Sequence, residues 1–212
     1  LVSFYQPELE TALRRRLADY ACIDVRLGVS LQDFSDDGQA VLATLEDADG
    51  VTRQVRTRYL VGADGAGSKV RRKLQLDFEG RTFAQDWLIV DARDVPAPID
   101  HVEFLCDPRR PTPRMVAPGG RQRWEFMLRK GERASDMEAP DQVRALLAPW
   151  CDPSDIRIER TAVYRFHARD ARRFSKGRCF LVGDAAHITP PFAGQGLVSG
   201  LRDAANLAWK LA

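Results

Sequence analysis

The stretch that decides the fold is the last thirty-five residues, Arg178 to Ala212, RCFLVGDAAHITPPFAGQGLVSGLRDAANLAWKLA. Cys179 to Val182 is a short apolar run of strand type that ends at Gly183-Asp184. Pro190-Pro191 fixes a rigid turn, Gly194-x-Gly196 follows, and a helical pattern opens near Leu197 and continues to Lys210-Leu211-Ala212. This order suits a polyhydroxylated or anionic ligand. Asp184 offers an acceptor for sugar-type hydroxyls, the glycines let backbone come close, and a helix start presents unpaired N–H groups. The same order also fits a plain strand-turn-helix with Asp184 as a cap, and both readings stand at this point.

A second loop of the same kind lies upstream. Tyr59 to Ala63 is a compact apolar strand that runs into Asp64-Gly65-Ala66-Gly67-Ser68. Ser68 is placed to cap a short helix carrying Val70 and Leu74. The spacing Gly62-x-x-Gly65-x-Gly67 is not the G-x-G-x-x-G of a first dinucleotide loop. A structural strand-helix connection remains an equal alternative, but an Asp after each of two apolar strands favours one shared site. Arg71 either supports this loop or meets a phosphate.

Around these loops the pattern divides the chain. Pro7 opens a helix that ends near Asp19-Tyr20, and Val25–Leu27 and Leu31–Phe34 are strand candidates. Gln39–Glu46 and Val51–Tyr59 alternate about Asp47-Ala48-Asp49-Gly50 as a hairpin. From Asp77 the character changes. Trp87–Val90, His101–Cys106, Arg114–Val116 and Trp124–Leu128 are strand-like pieces parted by Pro, Gly and charge, which predicts a mostly antiparallel sheet. Pro140–Trp150 reads as a helix and Ile156–Phe166 as a strand. The fold class expected is α/β with α+β elements, one sheet domain being inserted between two pieces of another.

Composition narrows the function classes. The chain has 212 residues, 44% of them hydrophobic, enough for a real core in one or two domains. A net charge of +2 with acids and bases interspersed gives no reason for nucleic acid. Arg14–Arg16, Arg71-Arg72-Lys73 and Arg172-Arg173 read as solvated faces. No apolar run approaches the roughly 20 residues of a membrane helix, and no secretory leader is visible. Cys22, Cys106, Cys151 and Cys179 are scattered, as in a reduced cytoplasmic protein, and His101, His167 and His187 lack metal-ligand spacing. Leu1 is not an initiator Met, and the helical pattern is unfinished at Ala212, so a piece of a longer protein is expected.

The segments Tyr59–Arg71 (YLVGADGAGSKVR), Gly183–His187 (GDAAH), Pro190–Gly196 (PPFAGQG) and Asp203–Leu211 resemble the motifs of the FAD-dependent aromatic monooxygenases related to p-hydroxybenzoate hydroxylase. The resemblance extends over nearly the whole chain. It implies a split FAD-binding domain, residues 1–76 and 171–212, with a substrate-binding sheet domain, 77–170, inserted. The family's opening βαβ unit and first phosphate loop are missing, which implies a fragment that is inactive alone.

The activity implied is hydroxylation of a phenolic aromatic acid, of the 3-(3-hydroxyphenyl)propionate type, by FAD, NADH or NADPH and dioxygen through a flavin C4a-hydroperoxide. The cofactor carries that chemistry and the protein supplies placement. Asp184 beside Gly183 is then the acceptor for the ribityl chain. Gly194, Gln195, Gly196 and Leu197 present backbone to the pyrimidine end of the ring, and Pro190 and Pro191 wall its reactive edge. Asp64 and Gly65 belong near the pyrophosphate and the nicotinamide approach. His187 is either a base or a structural hydrogen-bonding group. For the substrate carboxylate the candidates are Arg114, Arg123 and Arg165, with Trp124 as pocket lining.

Overall fold

The computed structural model describes residues 4–191 and 194–212. In chain order its elements are α1 (Gln6–Leu17), β1 (Ser30–Asp36), β2 (Val41–Glu46), β3 (Thr52–Thr57), β4 (Leu60–Gly62), α2 (Lys69–Lys73) and β5 (Phe78–Arg93). There follow β6 (Val102–Leu105), β7 (Thr112–Ala117), β8 (Arg121–Met127), α3 (Ala134–Met137), α4 (Pro140–Leu147) and β9 (Arg157–Ala171). The last are β10 (Ser175–Lys176), β11 (Cys179–Leu181), a 3-10 turn at Gly183–Ala185, β12 (His187–Ile188) and α5 (Gly196–Leu211).

The chain forms two compact units, Leu1–Ile23 with Phe83–Arg165, and Asp24–Thr82 with Phe166–Ala212. It passes from one to the other between Ile23 and Asp24, and again within the long strands β5 and β9.

In the Asp24–Thr82 and Phe166–Ala212 unit, β1, β2 and β3 form an antiparallel meander. The β2–β3 hairpin turns where expected: Asp47 Oδ1 accepts the N–H groups of Asp49 and Val51, and Gly50 takes φ +78°. The expected strand at Val25–Leu27 does not form. Val25 and Leu27 are exposed, and Asp24 and Arg26 pair with each other on the surface, so nothing there rewards an extended ladder. The other sheet of this unit has the order β10-β11-β4. Here β11 lies parallel to β4, although the whole inserted region separates them in sequence. A split domain is thereby visible. Its core joins Phe34, Val41 and Ala43 of the meander to Val70, Leu74, Cys179, Leu181, Ala185 and Ala186.

The other unit has at its centre β5, β8, β7 and β6, antiparallel along every pairing between neighbours β5–β8, β8–β7 and β7–β6. Strand alternation puts Trp124 and Phe126 of β8 on the same face as Leu88, Val90 and Ala92 of β5, and Leu128 just beyond β8 joins their cluster. Met137 of α3 and Val143 and Leu147 of α4 close over them. The alternate residues Asp91, Arg123 and Glu125 fall on the opposite face.

Candidate functional site

In the parallel pair, Leu60, Val61 and Gly62 stand opposite Cys179, Phe180 and Leu181. Both Asp-bearing loops therefore leave the C-terminal ends of adjacent parallel strands, where open α/β sheets take their ligands. Gly62 is small for a packing reason: a Cβ there would meet Val70 Cβ at 2.8 Å and Leu181 Cδ2 at 3.1 Å. That lets α2 sit directly against the sheet.

The first loop is held by its own side chains. Ser68 Oγ donates to Asp64 Oδ1 at 2.5 Å, and the Val70 N–H donates to Asp64 Oδ2 at 3.0 Å. Ser68 Oγ also accepts the Arg71 N–H at 2.9 Å, the cap that the sequence predicts. Partial burial pushes the Asp64 carboxyl up, but these hydrogen bonds outweigh it and hold its pKa below the usual value.

The second turn is pinned from α5. The Gly183 N–H donates to Asp203 Oδ2 at 2.9 Å, and His187 Nε2 lies 2.6 Å from the same oxygen. The His187 ring stacks on Phe174 with centroids 5.7 Å apart. Gly200 lets the helix approach, since a Cβ there would stand 3.2 Å from Gly183 Cα. Asp184 itself is exposed, and its carboxylate makes no hydrogen bond among the described residues. It caps nothing: the residue before the 3-10 turn is Val182.

Arg71 ties the two loops together. Its Nη1 donates to the Ala185 carbonyl at 2.7 Å and its Nη2 to the Ala66 carbonyl at 2.7 Å, while the guanidinium lies over the Phe78 ring at 3.7 Å. The expectation of a solvated Arg71-Arg72-Lys73 face fails at its first member, which is only 6% exposed. The short helix points Arg71 inward, where two loop carbonyls need donors, and desolvation lowers the pKa of the guanidinium.

After Pro190 the chain turns back, with the Gly194 N–H donating to the Pro191 carbonyl at 2.9 Å. Gly194 has φ +60°, Gln195 precedes the first turn of α5, and Leu197 is exposed on that turn. Phe192 and Ala193 of the Pro-Pro-Phe-Ala-Gly motif lie outside the described residues. The first three N–H groups of α5 have no partner within the helix, as at any helix start.

Two Asp-bearing turns at the ends of parallel strands, next to a glycine-opened helix, define a nucleotide-cofactor domain of the α/β class. Residues 2–212 match the FAD binding domain family, and the chain belongs to it. Over 211 residues it is 44% identical to the 3-(3-hydroxy-phenyl)propionate/3-hydroxycinnamic acid hydroxylase of Comamonas testosteroni, covering 99% of this chain and 36% of that protein. The chain thus spans little more than a third of that relative. Among solved structures it resembles aklavinone-11 hydroxylase in ternary complex with FAD and aklavinone, at 29% identity and TM-score 0.86, covering 98% of this chain and 41% of that one. The flavin-dependent monooxygenase PieE, in complex with FAD and substrate, matches at 27% identity and TM-score 0.87, covering 98% of this chain and 38% of the other.

The residues present fit FAD. Asp184 is an open carboxylate, as a ribityl hydroxyl requires. A Cβ built at Gly65 or at Gly194 would meet nothing within 4 Å, so the backbone on both loops is open to approach.

The sheet candidates are placed elsewhere, and the structure does not gather them. Trp124 is fully buried in the core with Phe126, on the face covered by α4. Arg114 is 8% exposed, lies over the Trp124 ring and donates to the Ala97 carbonyl at 2.9 Å. Arg165 grips Asp86 through two bonds of 2.6 Å. Arg123 grips Asp91 through Nε at 2.7 Å and Nη2 at 2.9 Å. Sequence reasoning missed Asp203 and Glu125. Asp203 follows Gly200 by three residues, one helical turn, and that spacing was the available signal.

Proposed function

We propose that the complete protein carrying this chain hydroxylates a phenolic aromatic acid, of the 3-(3-hydroxyphenyl)propionate type, with bound FAD, NADH or NADPH as reductant and dioxygen as oxidant. One oxygen atom enters the ring beside the phenolic hydroxyl, the other leaves as water, and the nicotinamide is oxidised. The observation that carries this reading is the pair of Asp loops on adjacent parallel strands, tied by Arg71 and set in a chain of the FAD binding domain family. The 44% identity to a hydroxylase of such an acid supports the substrate class.

FAD, when bound, supplies the electron transfer and the activation of oxygen. This chain holds it. Asp184 accepts from the ribityl hydroxyls, and Asp64 and Gly65 line the side toward the pyrophosphate. The turn from Gly194 to Leu197 offers N–H groups that favour negative charge on the ring. Pro190 and Pro191 stiffen the turn beside it. His187 is a positioning group in this reading, because its Nε2 is engaged by Asp203.

The Asp24–Thr82 and Phe166–Ala212 unit is assigned to the cofactor, and the β5–β8 sheet to the substrate. A carboxylate-bearing substrate meets Arg165 of that sheet, since Arg114 is buried over Trp124 on the face the helices cover. No described helix is long and apolar enough to cross a membrane, and the four cysteines are free thiols, which supports placement in the cytoplasm.

The test is stoichiometry in the complete protein. Oxidation of NADH or NADPH dependent on the phenolic acid should yield one hydroxylated product per nicotinamide. Hydrogen peroxide as the sole product, with no hydroxylated acid, would place the protein among flavin oxidases instead.

A further inference from the structure

The face of the β5–β8 sheet away from α3 and α4 carries a carboxyl group that the fold does not use. Glu125 is 8% exposed, and among the described residues its carboxyl makes no hydrogen bond. Its neighbour two positions back on β8, Arg123, lies on the same face and pairs bidentately with Asp91, its cross-strand partner. That pair uses Nε and Nη2 of Arg123 and leaves Nη1 without a hydrogen bond among the described residues. Burial raises the Glu125 pKa, with Arg123 opposing and Asp91 adding to the effect. The carboxyl oxygens are not among the fully buried unpaired atoms, so this largely buried acid keeps its tip open to what lies over the sheet. An unpaired acid with a raised pKa beside an arginine with an unused nitrogen is the kind of group found at sites that bind something.

The chemistry of what it binds follows from the donors and acceptors. Arg123 Nη1 can only donate, and Glu125 can accept. A single hydroxyl satisfies both at once, accepting from the guanidinium and donating to the carboxyl, whereas a carboxylate has no proton for Glu125 and would stand beside Asp91. We propose that Glu125, with the open edge of Arg123, is the specificity-determining pair that reads the hydroxyl group on the aromatic ring of the substrate. The inference rests on the phenolic-acid reading above and adds the residues that recognise the phenol. A site built around a hydroxyl rejects the analogue that lacks it, because its own polar groups are then left unpaired.

The experiment compares binding of 3-(3-hydroxyphenyl)propionate and 3-phenylpropionate to the FAD-loaded complete protein, by calorimetry or flavin difference spectra, with no turnover required. The wild type should prefer the hydroxylated acid by at least about tenfold. In Glu125→Ala that preference should collapse, through weaker binding of the hydroxylated acid with the deoxy compound unchanged. Glu125→Gln, which keeps an acceptor of the same size, should retain part of it. Thermal unfolding supplies the second readout: Glu125→Gln should match or exceed the parent in Tm, since a buried acid is removed.

An unchanged preference in Glu125→Ala or Glu125→Gln overturns the assignment and leaves the hydroxylase reading intact. A Tm lowered by several degrees in Glu125→Gln would assign the residue to structure and also overturn it. A wild type that binds neither acid removes the phenolic-acid reading itself, and the inference with it.

Discussion

Arg71 Nη1 lies 2.7 Å from the carbonyl oxygen of Ala185, a residue 114 positions away in the chain. With its other nitrogen on Ala66, this one buried side chain fixes the Asp64 loop and the Asp184 turn in a common frame. Two loops that would otherwise be set only by strand ends become one surface. The strand pair beneath gives them parallel exits, and Arg71 sets what lies beyond.

Replacing Arg71 should therefore act on both loops at once. Arg71→Ala leaves the Ala66 and Ala185 carbonyls without their donor and removes the stack on Phe78. Ala185 is buried, so its unpaired carbonyl costs about 1–3 kcal/mol, whereas Ala66 is exposed and water can replace its donor; a loss of roughly 1–3 kcal/mol is expected in urea unfolding of the complete protein. Arg71→Lys keeps the charge, but an ammonium lacks the planar fork that spans two carbonyls, and it should recover only part of the loss. A stability unchanged in Arg71→Ala would dissolve the link between the loops.

Asp203 should behave as a positioning residue for the Gly183 turn. Asp203→Ala removes the acceptor of the Gly183 N–H and of His187, at a cost of about 1–3 kcal/mol. FAD affinity should fall and the visible circular dichroism of bound flavin should change, since the turn carrying Asp184 is loosened. His187→Gln, whose amide can still donate to Asp203, should hold both closer to the parent. Parental affinity and an unaltered flavin spectrum in Asp203→Ala would show that the turn sets itself.

The Asp64 loop predicts a definite pH response. Its carboxyl is held below the ordinary 3.8 by Ser68 and the α2 N–H groups, against the opposing effect of burial. A depressed carboxyl contributes stability above its unfolded pKa, and that contribution disappears as pH falls through the folded value. Ser68→Ala should raise the Asp64 pKa toward 3.8, which shrinks the contribution that acid removes and completes its loss at a higher pH. Carbon-detected NMR titration of the Asp64 carboxyl checks it, and an unmoved pKa in Ser68→Ala would remove Ser68 as a cause.

Much of this was legible in the chain because local chemistry announces it. Apolar runs ending in Gly-Asp and Ala-Asp-Gly mark strand exits, Ser68 announces its helix, and Asp47 with Gly50 announces the hairpin. What was hidden depends on distant partners. Arg71 reads either as one of a solvated row, Arg71-Arg72-Lys73, or as a support of its own loop; its bond to Ala66 fits the second reading, and only the fold adds the distant Ala185 carbonyl. Alternation along β8 parts Trp124 and Phe126 from Arg123 and Glu125, but it cannot tell which face the helices cover. Trp124 was thus expected to line a pocket and is found in the core. Val25–Leu27 has the residue types of a strand and no neighbour to pair with.

The most direct measurement of the central claim is FAD titration of the complete protein and its Asp184→Ala form, with folded content followed in parallel. The Asp184 carboxylate is exposed and has no partner among the described residues, so its removal should leave stability within about 0.5 kcal/mol. FAD affinity should nonetheless fall by about ten- to a hundredfold, from the loss of charge-assisted bonds to the ribityl hydroxyls, with Asp184→Asn between the two. Unchanged affinity and parental flavin reactivity in Asp184→Ala would contradict the account, leaving the turn a structural feature and the cofactor held elsewhere.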